Sequence, residues 1–204
     1  MRSSFCSQYP CPGTLQKCIC DRYQCHTSDQ YTKNSHAAKS GHFSNSTFQG
    51  ISLHDAVNKD IKYSKKSNHV QEIITELKKQ GYVTGIISDS YDCITNHLKN
   101  KFGFDFTISN ELEFSKSIAT GEVKIPSLFL SDNNSMCKHD YCKLNGMIAV
   151  CEKYNVDLKN VLFVGDGEND ICCLKKAGIG VSFCSTSNIV DSVADYIIKE
   201  PDFN

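Results

Sequence analysis

Arginine is scarce in this chain. Among 204 residues Arg2 and Arg22 are the only two, and every other basic residue is lysine. A site that grips a carboxylate through a bidentate guanidinium fork therefore has few candidates. Excess charge is lacking too: the formal net charge is −1, which gives no field to draw in nucleic acid or an acidic membrane surface. No apolar run approaches the roughly 20 residues that a membrane-spanning helix needs. The opening Met1–Pro12 stretch has no hydrophobic core of a signal peptide. These absences predict a cytoplasmic protein that engages neither nucleic acid nor membrane.

Cysteine, by contrast, is plentiful, with twelve in the chain. Five lie near the start: Cys6, Cys11, Cys18, Cys20 and Cys25. Without an export signal they do not read as a disulfide framework. Cys18, Cys20, Cys25 and His26 have the donor types that zinc prefers, but the spacing C-x-C-x4-C-H fits no standard paired-knuckle pattern. The other seven are scattered through helical and strand patterns, where a free cysteine acts as a small buried hydrophobe. Residues 1–50 as a whole are rich in Ser, Cys, His, Gln and Asn and poor in aliphatics, which predicts an irregular, poorly ordered segment. Asn45-Ser46-Thr47 has the glycosylation pattern, which means little in a cytoplasmic chain.

The character changes at Ile51, and residues 51–204 are expected to form one α/β domain. Val70, Ile73, Ile74 and Leu77 share one helical stripe, which stops at Gly81. Tyr82 to Ile87 reads as a strand, punctuated by Ser88-Asp89-Ser90, which can cap a helix bearing Tyr91, Ile94, Leu98 and Phe102. Gly103 ends that helix and Phe104 to Ile108 is a second strand. Residues 109–138 are less regular, with a short hairpin possible at Gly121-Glu122-Val123 and a loop at Ser131–Ser135. A long helix is expected from His139, with Leu144, Met147, Ile148 and Cys151 on one face. Val161 to Val164 suits a strand buried on both faces. A helix to Gly178, a strand Ile179 to Phe183, a short helix and a last strand at Tyr196 to Ile198 complete the order. Such alternation predicts a doubly wound, Rossmann-like parallel sheet.

In such a sheet ligands gather at the carboxyl edge of the strands. Gly165-Asp166-Gly167-Glu168-Asn169-Asp170 crowds acidic and amide groups into the turn after one strand. Ser88 ends another strand, and Lys143 lies early in the helix leading to Asp166. Each has a plain reading: a capped turn, an N-cap serine, a solvated lysine. Together, a hydroxyl, a cation and carboxylates suit a phosphate and a divalent metal, with Asp166 as a hard oxygen ligand for Mg²⁺.

From about Val70 to Phe203 the chain resembles the haloacid dehalogenase-like hydrolases, and among them the phosphoserine phosphatase-like branch. Ile86-Ile87-Ser88 looks like the second motif, Lys143 matches the third, and the G-D-G-x-N-D stretch from Gly165 matches the fourth. Ser109–Glu113 and Thr120–Val123 are similar to the branch's connecting segment. The resemblance implies Mg²⁺-dependent phosphomonoester hydrolysis through an aspartyl-phosphate. It implies Ser88, Asp89, Lys143 and Asn169 on the phosphate and substrate, with Asp166 and Asp170 at the metal. Asp170 would also orient Lys143. The substrate would be a small phosphorylated metabolite, phosphoserine-like by inheritance. The branch carries a helical cap, which residues 51–69 could supply only in reduced form and without an Arg.

The first motif, D-x-D-x-T/S at the end of a buried strand, is not found. Leu15 to Cys20 running into Asp21 comes nearest, with Tyr23 and Cys25 where the second Asp and the Thr would stand. Asp21 is the candidate nucleophile. A chain without that strand would have a gap in its sheet between the strands leading to Ser88 and to Asp166. The rival expectation is a non-catalytic phosphate- or protein-binding relative that has lost the nucleophile. A third is a zinc-binding N-terminus fused to a truncated phosphatase domain.

Overall fold

The computed structural model describes residues 42–44, 49–57 and 68–200. Asp21, the Cys18/Cys20/Cys25/His26 group and the Asn45-Ser46-Thr47 sequon lie outside the described residues.

The first described strand, β1 (His42–Ser44), falls inside the stretch expected to be irregular. It owes its conformation to a partner, the strand β4 (Ile118–Lys124), with which it runs antiparallel. Residues 53–57 then make a helical turn. Ser52 caps it, its hydroxyl accepting from the Asp55 amide at 3.0 Å and donating to the Asp55 carboxylate at 2.7 Å.

Helix α1 (Asn68–Lys79) follows its predicted stripe and ends before Gly81, whose φ of 87° suits glycine alone. Strand β2 is Gly85–Tyr91 rather than 82–87. Ser88, Asp89 and Ser90 lie within it, and α2 (Asp92–Phe102) starts after Tyr91 with no side-chain cap. Serine and aspartate look like punctuation in sequence, but here buried partners keep the strand going. Gly103 closes α2 in a left-handed conformation with its N–H on Lys99 O.

Strand β3 (Phe106–Ser115) is twice the predicted length. Its first half pairs in parallel with β2 and its second half pairs antiparallel with β4. Lys116 and Ser117, both at positive φ, turn the β3–β4 hairpin. Beneath it Tyr91, Leu112, Ala119 and Val123 form a buried cluster that Ile51 joins.

Helix α3 (Lys143–Tyr154) begins four residues later than His139, because Tyr141 pairs across to Leu130 before the helix can start. Strand β5 (Leu162–Gly165), α4 (Ile171–Lys176), β6 (Ile179–Phe183), α5 (Asn188–Val193) and β7 (Tyr196–Ile198) complete the fold. Strands β5, β6 and β7 are all parallel.

The architecture is α/β, but the sheet is in two parts: β1-β4-β3-β2 and β5-β6-β7. Among the described residues no strand joins β2 to β5. The expectation that β5 is buried on both faces is overturned: Leu162 is 60 % and Val164 44 % exposed. An apolar run is buried only if neighbours cover it, and among the described residues β5 has a strand partner on one side alone. Helix α3 packs against both β2 and α4 and so spans the two parts. Among the described residues no helix is long and apolar enough to cross a membrane.

Candidate active site

The site is built where β2, α3 and the turn after β5 converge. In β2, Ile87 pairs with Ile108 and Tyr91 with Asn110, so three residues, Ser88 to Ser90, stand opposite Ser109 alone. This bulge re-aims the strand at its carboxyl end. It buries Ser88 (1 % exposed) and Asp89 (2 %). The Ser88 hydroxyl accepts from the Ser90 amide at 3.0 Å, and the Asp89 carbonyl accepts from Asn110 Nδ2 at 2.8 Å.

Lys143, the first residue of α3, is 2 % exposed. Its ammonium lies 2.8 Å from Asp170 Oδ1 and 3.9 Å from Asp89 Oδ1. Burial is the largest influence on it and alone would favour the neutral amine. The charges of Asp170 and then Asp89 outweigh burial, and the Lys143 pKa is raised above its ordinary value. The site therefore holds a permanent cation between two buried carboxylates.

Asp170 ends the short 3-10 turn Glu168–Asp170 that leads into α4. Its second oxygen accepts the amides of Asp166 and Gly167, each at 3.2 Å. The two glycines of the turn are needed for this closeness. A Cβ on Gly165 would lie 2.6 Å from Asp170 Cβ and 2.8 Å from its Cγ. One on Gly167 would lie 2.4 Å from Asn169 Oδ1. Asp166 itself is half-buried, and its carbonyl accepts from Ser185 Oγ at 2.7 Å. Asn169 Nδ2 donates to Asp89 Oδ2, which ties the turn back to β2.

Contacts thus link Asp89, Lys143, Asn169 and Asp170 directly. Asp166 joins through its amide and Ser88 through its place in the bulge. Asp21 lies outside the described residues. Burial, with the Asp170 charge adding to it, pushes the neighbouring Cys173 thiol up and keeps it neutral.

Sequence reasoning missed Tyr141, whose hydroxyl donates to Asp89 Oδ1 at 2.5 Å while its ring meets Phe129 edge-on at 5.2 Å. It also missed Asn110 and Ser185, whose contacts span 21 and 19 residues of sequence and leave no local signal. A group around Cys142 was missed as well: Cys137, His139, Cys142 and Cys172 bring their sulfur and nitrogen atoms within 4.8 Å of one another. That one had a trace, C-x-H-x2-C from 137 to 142.

Among known proteins, the family model for haloacid dehalogenase-like hydrolases matches residues 18–204. The phosphoserine phosphatase of Methanocaldococcus jannaschii is 31 % identical over 152 residues, which are 72 % of this chain and 65 % of that protein. The phosphoserine phosphatase of Archaeoglobus fulgidus is 28 % identical over 136 residues, 67 % of this chain and 36 % of that one. The chain therefore spans less than two thirds of each of these relatives. In fold, a phosphoserine phosphatase in its apo form superposes with a TM-score of 0.63 at 24 % identity, covering 92 % of this chain and 84 % of the other. A phospho-aspartyl intermediate analogue of phosphoserine phosphatase gives 0.62 at 24 % identity, covering 93 % and 88 %. The chain belongs to the haloacid dehalogenase-like hydrolases and resembles their phosphoserine phosphatase branch.

Proposed function

We propose that this chain hydrolyses small phosphomonoesters at the Lys143 site, through an aspartyl-phosphate and with Mg²⁺. The observation that carries the reading is Lys143 itself. A fully buried ammonium held by two carboxylates, at the carboxyl ends of strands, is placed to receive an anion rather than to fill a core.

In this reading Ser88 and Lys143 hold the phosphate, and the amides of the β2 bulge add donors. Asp170 fixes the Lys143 ammonium, and Asn169 borders the substrate. Asp166 is the metal ligand, half-buried at the end of β5 with its backbone fastened on both sides. A hard carboxylate oxygen with access to water fits Mg²⁺, which keeps part of its water shell. Mg²⁺ bound there would neutralise charge developing on the phosphoryl oxygens.

Asp21 is the nucleophile of this proposal. The family match spans residues 18–204 and so includes Asp21, which supports this reading. Its carboxylate would attack phosphorus and form an acyl-phosphate as the alcohol leaves, and water would then release phosphate. Tyr23 stands where the resemblance implies a second Asp to protonate the leaving oxygen, so poor leaving groups should react slowly. Phosphoserine is the inherited substrate class.

The alternative is a non-catalytic phosphate- or protein-binding relative, and the position of Asp89 bears on both readings. The Asp89 carboxylate already sits against Lys143 and Asn169, the groups assigned to phosphate and substrate. Turnover of p-nitrophenyl phosphate with Mg²⁺ separates the two. Activity that is lost in both Asp21→Asn and Asp166→Asn supports the hydrolase. No turnover in any form, with phosphate still bound, assigns the site to binding.

A further inference from the structure

We propose that Cys137, His139, Cys142 and Cys172 form a structural zinc site that fastens the start of α3 to the start of α4. The four donor atoms lie within 4.8 Å of one another, with Cys172 Sγ 3.5 Å from His139 Nδ1. In a tetrahedral site with Zn–S of about 2.3 Å and Zn–N of about 2.0–2.1 Å, the donors are about 3.5–3.8 Å apart. The group is thus already near the size that a zinc ion imposes, and a small contraction completes it.

Chemistry narrows the choice of metal. Three thiols and an imidazole are soft or borderline donors, which suit Zn²⁺ and not Mg²⁺. Four protein ligands close the shell, and a closed shell marks a structural site and not a catalytic one. All three sulfurs are free thiols. Binding would release their protons, leaving three thiolates and a neutral imidazole around the ion.

The surroundings also fit. Cys142 is the N-cap of α3, so its sulfur sits at the helix start, where the Leu144 amide faces it and favours the thiolate. It is buried, with Cys137 and Cys172 packed in the same apolar cluster, while His139 reaches the surface and gives a path for entry. The segment bearing Cys137 and His139 is folded back by the Ser131 amide on Asp140 O at 3.1 Å and the Cys142 amide on Phe129 O at 2.8 Å. Three ligands therefore come from one compact loop, and the fourth comes from the second residue of α4.

The position gives the site a purpose. Cys142 precedes Lys143, and Cys172 follows Asp170 by two residues. The zinc would hold together the two helix starts across which the Lys143–Asp170 bond runs. This is distinct from the Mg²⁺ position at Asp166 and does not depend on the chain being a phosphatase.

The test is metal content of the full chain, purified under reducing conditions, together with its spectrum after replacement of zinc by Co²⁺. We expect one zinc per chain and the intense thiolate-to-cobalt and tetrahedral d–d bands. Both should be lost in Cys137→Ser/Cys172→Ser and weakened in His139→Ala, whose side chain is exposed and whose loss spares the core. Both should persist in Asp166→Asn, and in Cys18→Ser/Cys20→Ser/Cys25→Ser, which removes the rival N-terminal ligands. Three results would overturn the proposal: no zinc and no cobalt bands in the wild-type chain, zinc content unchanged in Cys137→Ser/Cys172→Ser, or an intact mass short of two hydrogens that maps to a disulfide within the group.

Discussion

The Lys143 ammonium donates to Asp170 Oδ1 at 2.8 Å, with both side chains almost wholly out of water. A buried ion pair adds little beyond what well-packed apolar groups would give, yet breaking one side of it is costly. Lys143→Ala would leave Asp170 and Asp89 buried without a counter-charge. The expected loss is about 3–5 kcal/mol, read from urea unfolding. Lys143→Met combined with Asp170→Asn should lose less than the two single changes summed, because the pair acts as a unit.

Asp89 faces the same ammonium from the other side, 3.9 Å away. A carboxylate there repels an incoming phosphate, and two unit charges about 4 Å apart interact by about 4 kcal/mol at an effective dielectric of 20, an upper bound once relaxation is allowed. Asp89→Asn should bind inorganic phosphate at least about tenfold more tightly, equivalent to about 1.4 kcal/mol. Isothermal titration checks it. Equal or weaker binding by the variant would show that the carboxylate is no competitor.

At Gly165 an added Cβ would meet the Asp170 Cβ at 2.6 Å. Gly165→Ala should push Asp170 off the Asp166 and Gly167 amides and away from Lys143. Overpacking of this kind costs about 1–3 kcal/mol. Phosphate binding should fall along with the melting temperature, whereas a purely local clash would lower the melting temperature alone.

Asp105 supplies a pH dependence remote from the site. It accepts from the Thr84 amide at 2.8 Å and pairs with Lys78 at 2.7 Å. Burial, the largest influence, would raise its pKa, but the bonds from Lys78 and Thr84 together outweigh it and the value is lowered from 3.8. A lowered carboxylate contributes stability that is fully present above 3.8 and is lost as pH falls through the folded value. The pair is part-exposed and screened by solvent, so the contribution is about 1 kcal/mol or less. Asp105→Asn should be less stable than wild type near neutral pH, and the difference should close in acid.

Much of this was legible in the sequence, and the failures have physical causes. Helix α2 is read off Ile94, Leu98 and Phe102 with Gly103 after them, because its period and its stop are both local. The long β3 was not, since Ser109 and Asn110 look like loop residues until Thr95 and the Asp89 carbonyl are brought to meet them. Exposure of Val164 could not be read either, because burial belongs to the neighbouring strand and not to valine. In the site, Lys143 and Asp170 were found by spacing. Tyr141 was not, since its link to Asp89 crosses 52 residues. The group at Cys137, His139, Cys142 and Cys172 hid in a chain where cysteine is common.

The divided sheet has a consequence for how the molecule opens. β1-β4-β3-β2 and β5-β6-β7 have no ladder in common among the described residues. Amides in one can lose protection while those in the other stay closed, as in proteins whose cooperative units follow supersecondary boundaries. Helix α3, packed on β2 and on α4, and the Asn169–Asp89 bond connect them. Native-state deuterium uptake would then resolve into two exchanging populations, with the three-stranded part the earlier to exchange. The amides at the start of α3 would slow or quicken with whichever neighbour is still folded.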